Sequence, residues 1–343
     1  DFGVPLGGPL ETFFIFVCYK VSRIEGYPLA WDKRDAQESE SAWNIHEYNT
    51  INELDSWTWC LKRAGHIPGA AMIDIQTPER KILISGDFDT RSSRLVEGAK
   101  PQKADILFME GTYGGKNHPN REEEEQRFLR NVERVVERGG TALIPSFAMG
   151  RSQDILMILN DSDLNLNIHY DGMGKTITKT MLEHKNELLN PSALEVAFGK
   201  AKKVSSKSDR KKALDADVIV TTSGMLEGGP AIWYLNRLRM DNRNAIFLTG
   251  YQAEGTGGRM LLDKGMIPIF GNITPIDLET KRFDFSTHAG HNELVEFAKA
   301  TGAEDVILYH TEHKTSRPPL TKSLTELGIN VHSPMNRETY IIE

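Results

Sequence analysis

The sequence predicts an α/β protein built largely on a doubly wound parallel sheet. Apolar segments of strand length alternate with helix-length segments from Lys81 onward, and the connectors between them are short. Strands and helices that alternate in this way pair in parallel through crossovers, so that helices cover both faces of the sheet. A length of 343 residues is sufficient for two domains, or for one domain that carries a large insertion.

The individual elements follow from their local patterns. Strands are predicted at "KILISGDFD", "KADILFME", "TALIPSF", "LNIHYDGM", "ADVIVTTSGM", "NAIFLTGY" and "DVILYHT". Helices are predicted between them, and the one after Asn120 begins with "REEEE", which places acids where the helix dipole favours them. The short runs and turns of "MIPIFGNITPIDLETKRFDFS" are typical of antiparallel strands. The stretch "VSSKSDRKK", residues 204–212, is predicted to be a surface loop.

Composition narrows the class of protein. The net charge of −7 argues against a surface that is basic all over, so any contact with nucleic acid is expected to be local. No apolar run approaches the roughly 20 residues needed to cross a bilayer, so membrane insertion is not expected. The two cysteines, Cys18 and Cys60, lack CxxC spacing, which indicates a reducing cytoplasm.

Ionisable residues follow four of the apolar segments. Asp87, Glu110, His288 and His310 come after "KILISG", "ADILFM", "RFDFST" and "DVILY", and His66 lies in "AGHIPGA". Strand ends of layered α/β folds collect at one edge, where sites form. Taken singly, each residue is more often a hydrogen-bonded or surface side chain. Together, the imidazoles and carboxylates suit zinc, which binds both kinds of donor.

Three strand-to-helix turns are rich in glycine or hydroxyl residues: "PSFAMGRSQD", "TTSGMLEGGP" and "TGYQAEGTGGR". Backbone amides at such turns bind phosphate oxygens, and arginines add positive charge. The alternative is that the glycines serve only the turns. The candidate substrate-binding residues are Ser146, Arg151, Ser223, Gly224, Thr256 and Arg259.

These motifs together resemble those of a known family. "AGHIPGA", "SGDF", "MEGTYG", "FSTHAG" and "LYHTEH", with the three turns and "DGM" in order between them, are similar to the motifs of the β-CASP group of metallo-β-lactamase-fold nucleases. That group includes ribonuclease J and the nuclease subunit of the cleavage and polyadenylation complex, and small archaeal and bacterial members are most similar. The resemblance runs from about residue 62 to the end of the chain.

The resemblance implies an architecture. A metallo-β-lactamase-like αββα sandwich would be interrupted by an inserted β-CASP domain with a doubly wound parallel sheet. The N-terminal part of the sandwich is expected at 1–114, the inserted domain at 115–282, and the C-terminal part at 283–343.

The resemblance also implies roles for the site residues. His66, Asp87 and His310 would bind zinc, with Asp87 bridging two ions, and Glu110 and His288 would orient ligands or handle protons at the leaving oxygen. The implied reaction is hydrolysis of RNA phosphodiester bonds at a two-metal site in the cleft between the domains. RNA-cleaving members have histidine at the position of His310, so single-stranded RNA is the expected partner, and a homodimer or an RNA-processing complex stays open.

One departure from the family concerns the metals. The signature His-x-His-x-Asp-His does not occur in this sequence, although "DFGV" and "GGPLETFF" resemble the segments on either side of it. Either several dozen residues belong between Val4 and Pro5, or the chain is a homologue that cannot hold two metals. We favour the first, because Asp1 cannot start a translated chain. Under the second, the protein would be a catalytically inactive RNA-binding homologue that acts as a scaffold. A third alternative, a small-molecule hydrolase, is disfavoured by the long insertion.

Overall fold

A computed structural model describes residues 44–335, together with 34–35, 38–39, 339 and 341. The expectations about residues 1–33, including the Val4–Pro5 junction, lie outside the described residues. The chain forms two compact units. Unit 1 contains the residues up to Asn117 and those from Thr287 onward, and unit 2 contains His118–Ser286.

Unit 1 is built on one seven-stranded mixed sheet within its described residues. Its strands are β1 Ile51–Leu54, β2 Trp57–Arg63, β3 Ala71–Gln76, β4 Lys81–Ile84, β5 Ile106–Glu110, β14 Asp305–Tyr309 and β15 Asn330–His332. They lie side by side in that order. Strands β1 to β4 form an antiparallel meander, whereas β4, β5, β14 and β15 are parallel. The parallel half therefore brings the ends of β4, β5 and β14 to one edge.

Two helices pack on this sheet, α8 His291–Thr301 and α9 Arg317–Glu326. Leu83 of β4 and Leu107 of β5 are completely buried, and they share one apolar cluster with Phe297 of α8 and Leu320 of α9. Removal of these side chains from water holds both helices against the strands. Cys60 of β2 is a buried free thiol.

Unit 2 confirms the prediction of a doubly wound parallel sheet. Its six strands lie in the order β13-β10-β6-β9-β7-β8, and every neighbouring pair is parallel. They are β6 Ala142–Pro145, β7 Ile168–Tyr170, β8 Lys202–Lys203, β9 Val218–Thr221, β10 Ala245–Leu248 and β13 Glu279–Arg282. Strands β6, β9 and β10 are buried along their whole length, as expected for a parallel sheet covered on both faces.

Seven α-helices accompany these strands in the described part of unit 2. They are α1 Arg121–Glu137, α2 Arg151–Asp161, α3 Gly174–Glu183, α4 Pro191–Lys200, α5 Lys207–Lys212, α6 Gly229–Leu238 and α7 Gly257–Lys264. Helix α1 begins where the sequence predicts, because the Asn120 side chain accepts a hydrogen bond from the Glu123 amide. None of the described helices of the chain is long and apolar enough to span a membrane.

Two local predictions in unit 2 hold only in part. The sequence predicts antiparallel strands after Gly255, and β11 Met266–Ile269 does pair antiparallel with β12 Asn272–Pro275. Strand β13, however, joins the parallel sheet beside β10. The stretch 204–212 is not only a loop, because it contains helix α5. This helix has six residues, too few for an apolar periodicity to appear in the sequence.

Candidate metal centre

His66 lies in a tight turn between β2 and β3 of unit 1. Gly65 has φ +72°, and a Cβ atom there would lie 2.2 Å from the backbone oxygen of Asp89, so the close approach requires glycine. His66 Nδ1 lies 2.8 Å from the carbonyl oxygen of Thr287, which can only accept, so a neutral ring carries its proton on Nδ1. Burial, and then the charge of His288, lower the pKa of His66 to about 4. At neutral pH its Nε2 therefore presents a lone pair.

Asp87 and His310 follow the two strands that flank β5. Asp87 lies three residues beyond β4 and His310 directly after β14, and Asp87 Oδ1 is 3.0 Å from His310 Nδ1. Burial raises the pKa of Asp87, but the hydrogen bond with His310 and the nearby imidazoles outweigh it and lower the pKa to about 2. The same hydrogen bond raises the pKa of His310. Asp87 is thus a carboxylate at any ordinary pH, beside an imidazole that is nearly half exposed.

Glu110 is the last residue of β5, and its side chain is completely buried. Its Oε1 accepts a hydrogen bond from the Phe88 amide at 3.1 Å, and its Oε2 accepts one from the Thr112 amide at 3.1 Å and another from the Thr112 hydroxyl. Burial raises the pKa of Glu110, but His288 and Thr112 outweigh it, so that the pKa lies below its ordinary value. Glu110 is therefore an ionised carboxylate with a fixed orientation.

His288 contacts this carboxylate, with 2.7 Å between its Nδ1 and Glu110 Oε1. The contact with Glu110 raises the pKa of His288 although burial opposes it. Contrary to the sequence-based expectation, His288 does not directly follow a strand, because β13 ends at Arg282. The apolar letters between them include Phe283 and Phe285, which are completely buried outside any strand.

The segment that carries His288 is held in place by its backbone. The Ala289 amide donates to the carbonyl oxygen of Phe88 at 2.7 Å. Arg91 Nη2 donates to the carbonyl oxygen of His288 at 3.2 Å, while the same guanidinium contacts Asp89. The loop after β4 therefore positions Asp87 and His288 together.

Four side chains meet in one potential ligand group within the described residues. One ligand atom from each lies within 4.8 Å of the others, and the four are Asp87, Glu110, His288 and His310. His66 lies against this group, with 4.6 Å between its ring centroid and that of His288. Imidazole nitrogen together with carboxylate oxygen is a donor set that a divalent transition metal accepts. The residues present therefore fit a metal, and the individual ligand roles stay predictions.

The three strand-to-helix turns that are predicted to bind phosphate also lie together, at one edge of the unit 2 sheet. They follow β6, β9 and β10, which are adjacent in the order β10-β6-β9. Ser146 Oγ lies 3.1 Å from Thr249 Oγ1, and Gln252 Nε2 donates to the carbonyl oxygen of Gly224 at 3.1 Å. Ser223 Oγ accepts from the Glu227 amide. Phosphate binding by these turns stays a prediction.

The two arginines of these turns differ in their surroundings. Arg151 is buried, and its Nη1 donates to the carbonyl oxygen of Thr249. Arg259 is exposed and pairs with Asp263 at 2.8 Å, while its amide donates to the Thr256 hydroxyl at the start of α7. Arg259 is the more accessible of the two cations.

The sequence did not reveal the residues that orient the group. Thr112 holds Glu110, the carbonyl oxygen of Thr287 sets the tautomer of His66, and Arg91 fixes the backbone of His288. For Thr112 a signal existed, because an acidic side chain can accept a hydrogen bond from the backbone amide two residues later. The other two contacts join residues about 200 positions apart, which local patterns cannot show.

Comparison with known proteins gives the chain a family. Residues 152–261 match the Beta-Casp domain, and residues 274–334 match the Zn-dependent metallo-hydrolase RNA specificity domain. The chain is 37% identical over 303 residues to the probable RNase MJ4 of Methanocaldococcus jannaschii, covering 85% of this chain and 71% of that protein. The chain belongs to the β-CASP group of metallo-β-lactamase-fold ribonucleases. Family membership confirms the predicted fold class.

Other relatives differ in length and in name. The RNase aCSPSF2 of Saccharolobus solfataricus is 38% identical over 296 residues, and the match spans 84% of this chain but 59% of that protein. The transcription termination factor FttA of Methanocaldococcus jannaschii is 34% identical over 288 residues, with 74% of this chain and 44% of the factor covered. A solved protein of unknown function from Enterococcus faecalis shares the fold, with a TM-score of 0.52, 14% identity, and coverage of 85% of this chain and 66% of that one.

Proposed function

We propose that this protein is a zinc-dependent ribonuclease that hydrolyses phosphodiester bonds of single-stranded RNA. The observation that carries the proposal is the convergence of Asp87, Glu110, His288 and His310 within 4.8 Å. The names of the relatives and of the RNA specificity domain support the same reaction. Two zinc ions per chain remain the number that the family resemblance implies.

Asp87, His310 and His66 are the proposed metal ligands. Asp87 is ionised at any ordinary pH. His66 is neutral and carries its proton on Nδ1, so the lone pair on its Nε2 is available to a metal ion. Bound zinc would supply a water nucleophile that is active at neutral pH and positive charge against the phosphate. The RNA phosphates would be held further by Ser146, Arg151, Ser223, Gly224, Thr256 and Arg259.

His288 is the proposed proton donor to the leaving oxygen. The ionised Glu110 accepts from Nδ1 of His288, which fixes the ring and raises its pKa. Nε2 can then deliver a proton to the departing ribose oxygen. Glu110 itself is completely buried and acts through His288 as a positioning residue.

The test is the variant His288→Ala. We expect cleavage of single-stranded RNA to fall by about 10²-fold or more, the usual contribution of a proton-transfer group, with little change in RNA affinity. The matched control is His313→Ala, which removes an exposed imidazole outside the ligand group. Cleavage by His288→Ala at the unaltered rate would remove His288 from the mechanism.

The scaffold alternative makes the opposite prediction. An inactive RNA-binding homologue would bind RNA equally well with and without zinc and would cleave in neither state. Measurement of zinc content by plasma emission spectrometry separates the two readings: the enzyme should approach two ions per chain, and a scaffold should stay near zero after zinc supplementation.

A further inference from the structure

Unit 2 contains a cluster of positively charged residues that is not part of the candidate metal centre. Seven lysines and arginines fall between residues 200 and 212, with Asp209 the one acid among them, although the whole chain has a net charge of −7. Six of the seven are exposed lysines, which we call the basic edge: Lys200, Lys202, Lys203, Lys207, Lys211 and Lys212. Such a segment creates a local positive potential on an otherwise acidic molecule.

The fold places these lysines along one border of a sheet. Strand β8 is the outermost strand beside β7, with Lys202 paired to His169 and Lys203 to Tyr170. Lys200 is the last residue of helix α4, before β8. Helix α5 follows β8 after a short turn and carries the other four cations, Lys207, Arg210, Lys211 and Lys212. Arg210 is the exception, because its guanidinium turns inward and donates to Asp171 at 2.7 Å. Arg210 therefore forms an ion pair within the protein, whereas the lysines remain exposed at the surface.

The nearby acid, Asp209, forms no ion pair with these lysines, although its charge interacts at longer range with Lys212. Asp209 Oδ2 accepts from the Ser206 hydroxyl at 2.8 Å and from the Ser205 amide at 3.2 Å, so this carboxylate serves the first turn of α5. Within the part of the chain that the structure describes, none of the six lysines forms an ion pair with a carboxylate. The positive charge of the edge is therefore left for an external anion.

The charges of neighbouring lysines also lower the pKa values of two groups at this border. Burial, and then the charge of Lys179, lower the pKa of Lys203, whose Nζ lies 4.6 Å from the centre of the Phe198 ring. His169 is lowered in its pKa in the same way, by burial and by Lys202. A polyanion at this border would reduce the repulsion between Lys203 and Lys179.

We propose that the basic edge binds the phosphate backbone of single-stranded RNA, so that a long RNA is held by unit 2 in addition to the catalytic residues. This inference rests on the proposed ribonuclease function. Lysines are point charges without the paired donors of arginine, so the contacts would follow the backbone rather than read the bases. Charges repeated along a strand and a helix match repeated phosphates better than one acidic side chain.

Lysines on an edge strand have a second use, because they prevent strand pairing between molecules. Glutamate blocks an edge equally well but repels phosphate. Charge reversal therefore separates the two uses. If the lysines only guard the edge, Lys202→Glu and Lys207→Glu leave RNA affinity unchanged.

The experiment compares the double variant Lys202→Glu/Lys207→Glu with the control Lys100→Glu/Lys322→Glu, which reverses two exposed lysines of unit 1. An RNA of about 30 nucleotides exceeds the roughly 4–16 nucleotides of one single-strand site. Its dissociation constant is measured by fluorescence anisotropy over a series of salt concentrations, with chelator present so that no cleavage occurs. The slope of log affinity against log salt should flatten by about 1.4 in the double variant, since each lost contact to a single strand contributes about 0.7.

An unchanged slope, or an equal change in the control, overturns the proposal. Displacement of the RNA by polyglutamate at equal charge concentration also overturns it, because the edge would then suit an acidic protein segment. If the double variant does not fold, Lys211→Glu/Lys212→Glu carries the same expectation. In a separate assay with zinc supplied and no chelator, binding without any cleavage by the unaltered protein would contradict the proposed function and leave the basic edge supported.

Discussion

The protonation and orientation of individual side chains in this protein depend on contacts with residues that are distant in the sequence. Motif positions alone identified Asp87, Glu110, His288 and His310, and the structure brings these four together. The residues that set their protonation were not identifiable, because a partner such as the Thr287 carbonyl is known only once the chain has folded. The chemistry of the candidate site was thus predictable as a set of donors, whereas its tautomers and orientations were not.

Asp284 gives a residue-scale prediction about pH. Burial raises its pKa, but the contact with His118, at 3.2 Å, and the hydrogen bond from Ser286 outweigh it and lower the pKa from 3.8 to about 2. A carboxyl whose pKa is depressed by folding stabilises the fold above its unfolded pKa, and the contribution is lost as the pH falls from about 4 to about 2. Asp284→Asn should lower the free energy of unfolding by about 2 kcal/mol at pH 6.

Urea denaturation at pH 6 and below pH 4 checks this prediction. The difference in the free energy of unfolding between the unaltered protein and Asp284→Asn should become smaller as the pH falls. The control Asp163→Asn removes an exposed carboxyl and should show no such trend. A difference that is equal at both pH values would mean that the charge of Asp284 does not stabilise unit 2.

Whole helices and strands were predictable where they are long or strongly apolar. The helix after Asn120 and strands such as Ala142–Pro145 formed as expected, because capping, dipole and burial agree there. Strand β8 has two residues and α5 has six, so neither shows a period in the sequence. Strand β13 was expected to be antiparallel, but its neighbour β10 lies some 30 residues away in the sequence, and only the fold reveals their parallel pairing.

The β11–β12 hairpin gives an element-scale prediction. Phe270 and Gly271 connect the two strands with φ of 50° and 85°, and the Phe270 side chain is 74% exposed. Positive φ at both positions suits Asn-Gly, and a residue with a large side chain in this region costs about 1 kcal/mol. Phe270→Asn should therefore raise the free energy of unfolding by about 0.5–1 kcal/mol.

Phe270→Ala is the matched control for the hairpin. It removes the same ring but keeps a residue that disfavours positive φ, so it should give no comparable gain in urea denaturation. An equal gain from both variants would show that the exposed ring, rather than the backbone of the turn, limits stability.

At the scale of the whole molecule, the alternation of strands and helices predicted the parallel sheet of unit 2 and the family confirms the fold class. The meander β1 to β4 of unit 1 was not predicted in full, because its first strands are short and partly exposed. The domain boundaries near residues 114 and 282 remain predictions, beside compact units that change over after Asn117 and after Ser286. Sequence patterns therefore predict the architecture better than they predict the positions of the domain boundaries.

The central claim is that this donor group binds zinc and thereby hydrolyses RNA. The most direct measurement follows cleavage of single-stranded RNA by chelator-treated protein as zinc is added back, for the unaltered chain and for Asp87→Asn. We expect zinc to restore cleavage to the unaltered chain and to have little effect on the variant, because an amide cannot replace the carboxylate as an anionic ligand. Cleavage that persists without metal, or an equal response to zinc in Asp87→Asn, would contradict the account.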